Sequence, residues 1–197
     1  MYLNSVSIVG GGRLRVISGS ARGHKLKSPS GIETRPTSDK NKESLFNIIA
    51  GDLYGCSFLD LYSGTGAIGI EALSRGAKKV VFIDQSPLCK AIIKENLEHT
   101  KLDTRAMVYQ SNVHLGLGIL KDKKEVFDII FMDPPYAEDE IEEVVNKIKD
   151  YRLLSPSGYI IIEHSSKKLI LNMYKFILWK EKRYKTATMT FLKLLEE

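Results

Sequence analysis

The sequence lacks the long apolar runs, clustered cysteines and metal-ligand spacings that define several protein classes. No stretch of about 18 apolar residues occurs, which excludes a transmembrane helix. The two cysteines, Cys56 and Cys89, lie far apart and the four histidines are scattered, so we expect neither a disulfide nor a metal site. The first residues lack a basic segment followed by an apolar one and a cleavage site, so they make a poor signal peptide. We expect a cytoplasmic protein.

What the chain does contain is an ordinary globular composition. Its 197 residues are 43% hydrophobic and 27% charged, which suffices for one sizeable core. We expect a single globular unit with a small appendage. Residues 1–13 are expected to be a disordered leader or to precede an alternative start.

The positive charge is concentrated near the beginning of the chain. Residues 13–42 contain eight Lys and Arg against two acids, whereas the rest of the chain contains 21 basic and 22 acidic residues. A basic segment interrupted by Gly, Ser and Pro is typical of contact with a polyanion, and we favour nucleic acid over a solvated face that maintains solubility. The candidate contact residues are Arg15, Arg22, Lys25, Lys27, Arg35 and Lys40.

The order of predicted elements indicates an α/β fold. Residues 13–29 alternate and carry turn residues, which predicts a small strand pair, and a helix follows with Thr37 or Ser38 as its cap. Apolar strands and helices then alternate five times, which favours a doubly wound, mostly parallel sheet covered on both faces. The last stretch, "YKFILWKEKRYKTATMTFLKLL", predicts a closing hairpin. In such folds ligands bind at the carboxyl ends of the strands.

A glycine-rich turn follows the first strand of this pattern, in "DLYSGTGAIGIEA". Gly64, Gly66 and Gly69 match G-x-G-x-x-G, a turn whose missing side chains let the backbone approach a ligand at a helix N-terminus. Taken literally, the match predicts a binding site for a dinucleotide. The match alone is also compatible with a turn that has no catalytic role.

The charges near the turn argue against a dinucleotide. Asp60, Asp84 and Asp133 lie at three strand ends, and no basic residue lies between Asp60 and Arg75. A pyrophosphate would meet carboxylates, whereas the sulfonium, α-amino group and ribose hydroxyls of S-adenosylmethionine would be accommodated. Asp84 is placed to accept the ribose hydroxyls. The expected cofactor contacts are Asp60, Ser63, Gly64, Thr65, Gly66, Gly69, Asp84, Gln85 and Asn112, the last being equally explicable as a turn former.

The strand "FDIIFMD" ends in the unusual sequence "PPY". Pro134 has a carbonyl but no N–H, so with Asp133 it offers hydrogen-bond acceptors, and Tyr136 adds an aromatic face. This set suits a planar base with an exocyclic amine, whose positive charge during methyl transfer the acceptors would stabilise. We predict Asp133, Pro134 and Tyr136 as catalytic residues acting on an unpaired or flipped base. A strand-terminating turn with an incidental acid is the alternative.

With these motifs the sequence resembles class I S-adenosylmethionine-dependent methyltransferases, and more closely the RsmD family of bacterial 16S ribosomal RNA guanine-N2 methyltransferases. The resemblance rests on "RVISGSARGHKLKSP", "TRPTSDKNKESLFNII", "DLYSGTGAIGIEALSRGA" and "DPPY". It implies a basic β extension over residues 14–36 and a class I methyltransferase domain over residues 37–197. It also implies methylation of one guanine in 16S rRNA, within a partly assembled small subunit, with S-adenosylhomocysteine as the product.

Some positions depart from the family pattern, and other readings stay open. Ser18 stands where the family usually has glycine, His24 where Arg or a similar basic residue is common, and Asn112 where Asp is more usual. The alternatives are an adenine-N6 DNA methyltransferase, a glutamine methyltransferase of release factors, and a non-catalytic RNA-binding module with a methyltransferase fold. The first would need a target-recognition domain, and the second favours Asn at the position of Asp133.

Overall fold

The computed structural model describes residues 14–29, 39–134, 138–165, 175–185 and 187–195. Within these ranges the chain forms five α-helices: α1 (Asp39–Ile48), α2 (Ala67–Ser74), α3 (Pro87–Thr100), α4 (Val113–Asp122) and α5 (Glu138–Asp150). It also forms seven strands: β1 (Ser57–Leu61), β2 (Lys79–Asp84), β3 (Ala106–Gln110), β4 (Phe127–Met132), β5 (Leu154–Ser165), β6 (Phe176–Arg183) and β7 (Ala187–Leu194). None of the described helices is both long and apolar enough to cross a bilayer.

The strands form one sheet in the order β3-β2-β1-β4-β5-β7-β6. The first five strands of this order pair in parallel, and β7 pairs antiparallel with both β5 and β6. This arrangement confirms the predicted doubly wound fold with a closing antiparallel hairpin. Because β1 lies between β2 and β4, the carboxyl ends of these three strands meet at one edge of the sheet.

Two apolar layers cover the sheet. On one face, α1, α2 and α3 pack against side chains such as Phe58, Phe82 and Phe191. On the other, α4 and α5 pack against a set that includes Leu59 and Ile160. Every residue of β1 is buried, as expected for a central strand covered on both faces.

The N-terminal segment forms a short antiparallel pair, in line with the predicted strand pair. An antiparallel bridge joins Arg15 to Lys25, and on either side of it the Val16 N–H donates to the His24 carbonyl at 2.9 Å and the Leu26 N–H to the Leu14 carbonyl at 2.8 Å. Contacts with the helices hold it in place: the Ser74 hydroxyl accepts the Ala21 N–H at 2.9 Å. Residues 1–13 and 30–38, which include the predicted leader and the predicted helix cap, lie outside the described residues.

A buried carboxylate joins this N-terminal segment to two helices. Glu71 in α2 accepts hydrogen bonds from the N–H groups of Ile17 (2.7 Å) and Ser18 (2.9 Å). Its carboxylate also lies 3.7 Å from the ammonium of Lys42 and 2.8 Å from the Arg75 guanidinium. Burial lowers the pKa of Lys42, and the Glu71 charge opposes that shift. The Lys42 ammonium in turn donates to the Arg15 carbonyl at 2.5 Å, so one polar cluster connects three segments of the chain.

Replacing Glu71 with Ala should therefore destabilise the fold strongly. The variant leaves the buried Lys42 ammonium without its carboxylate and two N–H groups without their acceptor, and we expect a loss of about 3–5 kcal/mol in the free energy of unfolding. Urea unfolding measures this loss. The matched control is Glu143→Ala, which removes a carboxylate paired with Lys147 at the exposed surface and should leave the free energy of unfolding nearly unchanged. Equal losses in the two variants would contradict the role of the buried cluster.

Candidate active site

The carboxyl edge of the sheet brings together three acids, as the sequence predicted. Asp60 belongs to β1, Asp84 ends β2, and Asp133 directly follows β4. Because β1 pairs in parallel with both neighbours, Leu61 lies beside Ile83 on one side and Met132 on the other. The three carboxyl groups are close enough that Asp84 and Asp133 both influence the ionisation of Asp60.

Asp60 is buried, unlike a residue that simply contacts a ligand. It is only 1% exposed, and its Oδ2 accepts the backbone N–H of Gly69 at 2.9 Å. Burial raises the pKa of Asp60 well above its usual value; the Gly69 hydrogen bond opposes this, and the charges of Asp84 and Asp133 add to it. The side chain therefore holds the first turn of α2 from the buried side of the glycine turn.

Asp84 holds the glycine turn by accepting hydrogen bonds from backbone N–H groups. Its Oδ2 accepts the Gly64 N–H and its Oδ1 accepts the Ser86 N–H, both at 2.8 Å. Each carboxylate oxygen keeps a lone pair, because a carboxylate can accept about four hydrogen bonds. The Cys89 thiol is a further partner of this carboxylate, and Asp84 is half-buried, so part of the residue is accessible to a ligand.

The glycines are required by backbone geometry and by close packing. Gly64 (φ 54°) and Gly66 (φ 75°) adopt left-handed conformations that favour glycine. A Cβ on Gly64 would meet no atom within 4 Å, whereas one on Gly69 would lie 2.3 Å from a ring carbon of Phe82. The turn is therefore open at Gly64 and tightly packed at Gly69. The Ser63 hydroxyl completes it by donating to the Asp60 carbonyl at 2.6 Å.

The remaining predicted cofactor residues surround this turn. The carbonyl of Thr65 accepts a hydrogen bond from the Asn96 amide at 3.0 Å. Gln85 is exposed directly after β2. Asn112 caps α4, with its Oδ1 accepting the Leu115 N–H at 2.9 Å, so the turn-forming role considered from the sequence is present. Asn112 is exposed, and its side-chain NH2 remains available to the edge of a base.

Asp133 lies on the opposite side of β1 from Asp84. The residue is exposed, and desolvation by the surrounding protein raises the pKa of its carboxyl group to about 6. The adjacent Pro134 is half-buried, and the third predicted catalytic residue, Tyr136, lies outside the described residues.

Two residues of the site were missed by sequence reasoning. Tyr62 adopts φ 58°, uncommon for a non-glycine residue, and its hydroxyl donates to the Glu140 carboxylate at 2.9 Å, which ties the turn to α5. Asn96 is buried in α3 and donates to the carbonyls of both Lys27 and Thr65, while its Oδ1 accepts the Lys27 N–H at 2.7 Å. An Asn on the buried face of a predicted helix is the only signal that the sequence offered.

The predicted nucleic-acid contacts that fall within the described residues lie on the surface. Arg22 and Lys25 are exposed, with no ion pair among the described residues. Arg15 pairs with Asp39 at 3.2 Å and Lys27 pairs with Glu95, but both keep more than half of their side-chain surface exposed. Lys40 is exposed in the first turn of α1, and Arg35 lies outside the described residues.

The described residues fit S-adenosylmethionine better than a pyrophosphate ligand. The open side of the turn offers carboxylate oxygens and backbone, and the positive groups Arg22 and Lys25 lie on the separate N-terminal segment. Such a surface can hold hydroxyl and cationic groups. Among the described residues, no group of three or more His, Cys, Asp or Glu is arranged to hold a metal ion.

Comparison with known proteins identifies similar chains over most of the length. The family model described as Conserved hypothetical protein 95 matches residues 14–193. YlbH of Bacillus subtilis (strain 168) is 40% identical over 151 residues, which cover 77% of this chain and 82% of the relative. Ribosomal RNA small subunit methyltransferase D of Haemophilus influenzae is 33% identical over 171 residues, covering 87% and 89% of the two chains. The solved structure of yhhF from Escherichia coli matches with a TM-score of 0.80 and 28% identity, covering 94% of this chain and 100% of that one.

The packing of the glycine turn leads to a paired test of stability. Gly69→Ala places a Cβ against the Phe82 ring and should destabilise the protein by about 1–3 kcal/mol, because α2 must move away from β2. The control is Gly118→Ala in α4, where a Cβ would meet no atom within 4 Å. That change should be neutral or stabilise by up to about 1 kcal/mol. Urea unfolding measures both, and a Gly69→Ala protein as stable as the wild type would contradict the packing.

Proposed function

Because the chain belongs to the family described as Conserved hypothetical protein 95, and its relatives include a named small-subunit rRNA methyltransferase, we propose that it transfers a methyl group from S-adenosylmethionine to the N2 amine of a guanine in 16S rRNA. It is an rRNA methyltransferase by this relationship. The choice of guanine, of its N2 atom and of 16S rRNA is our proposal. The cytoplasm would be the place of action.

The observation that carries the proposal is the position of Asp133 beside Pro134. Asp133 follows β4 at the same edge as Asp84 and the glycine turn, so a base amine and a cofactor held there would be neighbours. Pro134 cannot donate from its backbone, so the two residues together offer acceptors. A pKa of about 6 leaves the Asp133 carboxyl ionised at neutral pH and still able to take up a proton.

These residues act by accepting hydrogen bonds from the reacting amine. The amine of guanine is a poor nucleophile because its lone pair is delocalised into the ring. The Asp133 carboxylate and the Pro134 carbonyl accept the two amino hydrogens, which stabilises the positive charge that develops on nitrogen; one such contact contributes on the order of 10²- to 10³-fold by analogy with oxyanion-hole donors. Asp133 then takes the proton that nitrogen loses. Tyr136 would stack on the base, contributing about 1–3 kcal/mol to its binding.

The cofactor would supply a methyl group bound to a positively charged sulfur and leave as S-adenosylhomocysteine. We propose that Asp84 accepts its ribose hydroxyls, since both carboxylate oxygens are oriented by backbone N–H groups. The open backbone at Gly64 would lie against it, and Gln85 and Asn112 would contact its adenine. Ser63, Thr65, Gly66 and Gly69 would shape the turn, and Asp60 would hold it from behind.

The proposed substrate is rRNA in a partly assembled small subunit, gripped by the exposed basic residues of the segment that we assign to residues 14–36. Arg22 and Lys25 carry this part of the proposal, because they have no ion pair among the described residues. The target base must be unpaired or flipped to reach Asp133.

The experiment that tests the proposal is methyl transfer followed by nucleoside analysis. Small subunits from cells that lack the modification are incubated with the protein and with S-adenosylmethionine carrying a tritiated methyl group, and the rRNA is digested. We expect label in N2-methylguanosine of 16S rRNA. Label in N6-methyladenosine would replace the proposal with adenine methylation, and an absence of transfer to naked or assembled rRNA would support a non-catalytic RNA-binding module.

Removal of the Asp133 carboxylate should separate binding from catalysis. Asp133→Ala should bind S-adenosylmethionine within a few-fold of the wild type, because the proposed cofactor contacts are made by other residues. Methyl transfer should fall by at least 10²-fold, in line with the loss of one charge-stabilising contact. Titration calorimetry and single-turnover transfer measure the two quantities. Turnover close to that of the wild type would contradict the mechanism.

The raised pKa of Asp133 also predicts a pH dependence. With both substrates well below saturation, the rate should fall about tenfold per pH unit below pH 6, because the protonated carboxyl is a weaker hydrogen-bond acceptor and cannot take the proton that nitrogen loses. Asp133→Asn should lack this dependence. A carboxyl whose pKa is raised on folding favours the native state only at low pH, and that contribution is lost as the pH rises from about 4 to about 6. Asp133→Asn should thus be more stable than the wild type above pH 6, with the difference disappearing near pH 4.

A further inference from the structure

A groove between α1 and β6 has no role in the site described so far. It has a volume of about 540 Å³ and is lined by Lys40, Glu43, Ser44, Asn47, Ile48, Lys180 and Lys182. We call it the α1–β6 groove. Strand β6 forms the edge of the sheet, and all of its residues after Phe176 are exposed.

The pairing of β6 places its lysines on the α1 side of the sheet. Lys180 pairs with Phe191 and Lys182 pairs with Met189, both of which belong to the apolar layer beneath α1. The intervening Glu181 forms an ion pair with Arg183 at 2.6 Å. Because side chains alternate between the two faces of a strand, Glu181 and Arg183 lie on one face of β6, and the two lysines lie on the face that lines the groove.

The charge of the groove is not balanced. Lys40, Lys180 and Lys182 line it together with a single acid, Glu43. None of these three ammonium groups has an ion pair or hydrogen bond among the described residues. By contrast, Lys79 and Lys147, on other faces, are paired with Glu125 and Glu143. The groove therefore presents positive charge to solvent.

The groove is continuous with the N-terminal basic surface. Arg15 pairs with Asp39 in the first turn of α1, and Lys40 is the next residue. At the other side of the groove, the hydroxyl groups of Tyr184 and Ser44 are 2.8 Å apart, which joins the end of β6 to α1. A chain of basic residues can thus be followed from the N-terminal segment along α1 to β6.

The register of the sheet relates the groove to the edge that carries Asp133. Met189 in β7 pairs with Lys182 on one side and with Glu163 in β5 on the other. The residue before Glu163, Ile162, pairs with Met132, which directly precedes Asp133. Lys182 therefore lies level with Asp133 across the sheet, so a nucleic-acid strand leaving the site along this face would meet the groove.

We propose that the α1–β6 groove binds the sugar–phosphate backbone of the rRNA next to the target nucleotide. This inference rests on the proposed function and adds a second contact surface to the N-terminal one. Unpaired ammonium groups with an amide beside them suit phosphate oxygens and carry no sequence information. Lys180 and Lys182 are about 6.6 Å apart along the strand, which allows them to contact different phosphates.

The test uses three double variants of the full chain. Lys180→Gln with Lys182→Gln removes the groove charges, and Arg22→Gln with Lys25→Gln removes charges of the N-terminal segment. Lys78→Gln with Lys124→Gln is the matched control, because both residues are exposed and precede β2 and β4 at the opposite edge of the sheet. Circular dichroism and S-adenosylmethionine affinity verify that each variant is folded.

Binding of a 16S rRNA fragment is measured over a range of salt concentrations. Loss of two phosphate contacts should lower the slope of log affinity against log salt by about 1.4 for the groove variant, and similarly for the N-terminal variant. The control should keep the wild-type slope. Methyl transfer at low rRNA concentration should fall in parallel with affinity, while the rate at saturation stays near that of the wild type.

Other outcomes would overturn the inference. A groove variant with the slope of the control excludes a phosphate-binding groove, even if the N-terminal variant behaves as expected. Normal binding of naked rRNA with impaired methylation of assembled subunits would assign the groove to a protein of the subunit instead. Failure of the proposed function is seen separately, as an absence of methyl transfer by the wild-type protein, and the binding measurement does not depend on turnover.

Discussion

The parallel pairing of β1 with both β2 and β4 is the constraint on which the site depends. It makes three strands end at one edge, and each of these strands carries an acid at or near its end. Three carboxylates so close together repel one another, and the protein limits this cost in two ways. Backbone N–H groups of the glycine turn donate to Asp60 and Asp84, and Asp60 has a pKa raised by burial, which favours its neutral form.

The second constraint is the attachment of the N-terminal segment to the body of the fold. The short antiparallel pair leaves some of its N–H groups without a backbone partner, and side chains of α2 and α3 accept hydrogen bonds from them. Glu71 and Asn96 do this from buried positions, where an unsatisfied polar group is most costly. Since Asn96 also holds the Thr65 carbonyl, the surface proposed to grip rRNA and the turn proposed to hold the cofactor share one side chain.

Much of this could be predicted from the sequence because the relevant signals are local. Apolar strands followed by helix patterns predicted the sheet, and the acids and glycines could be assigned to strand ends by counting. The inward orientation of the Asp60 side chain could not be predicted, because it depends on a contact with the Gly69 N–H that forms only in the folded chain. The cluster around Glu71 joins residues more than 50 positions apart, and no pattern within a helix indicates such a partner. The left-handed conformation of Tyr62 is likewise imposed by the turn and not by its residue type.

The charge distribution shows how an average over the chain can hide a local feature. Outside residues 13–42 the bases and acids nearly cancel, yet residues 175–185 contain five bases and one acid. Lysines on an edge strand also prevent the strand from pairing with another chain, so their presence alone does not indicate a ligand. Protection of the edge requires charge but no particular face. Within β6, Glu181 and Arg183 pair with each other, and the two lysines of the strand, Lys180 and Lys182, both line the groove beside α1. Segregation of the charge to the face shared with Lys40 is what distinguishes a binding surface from a protected edge.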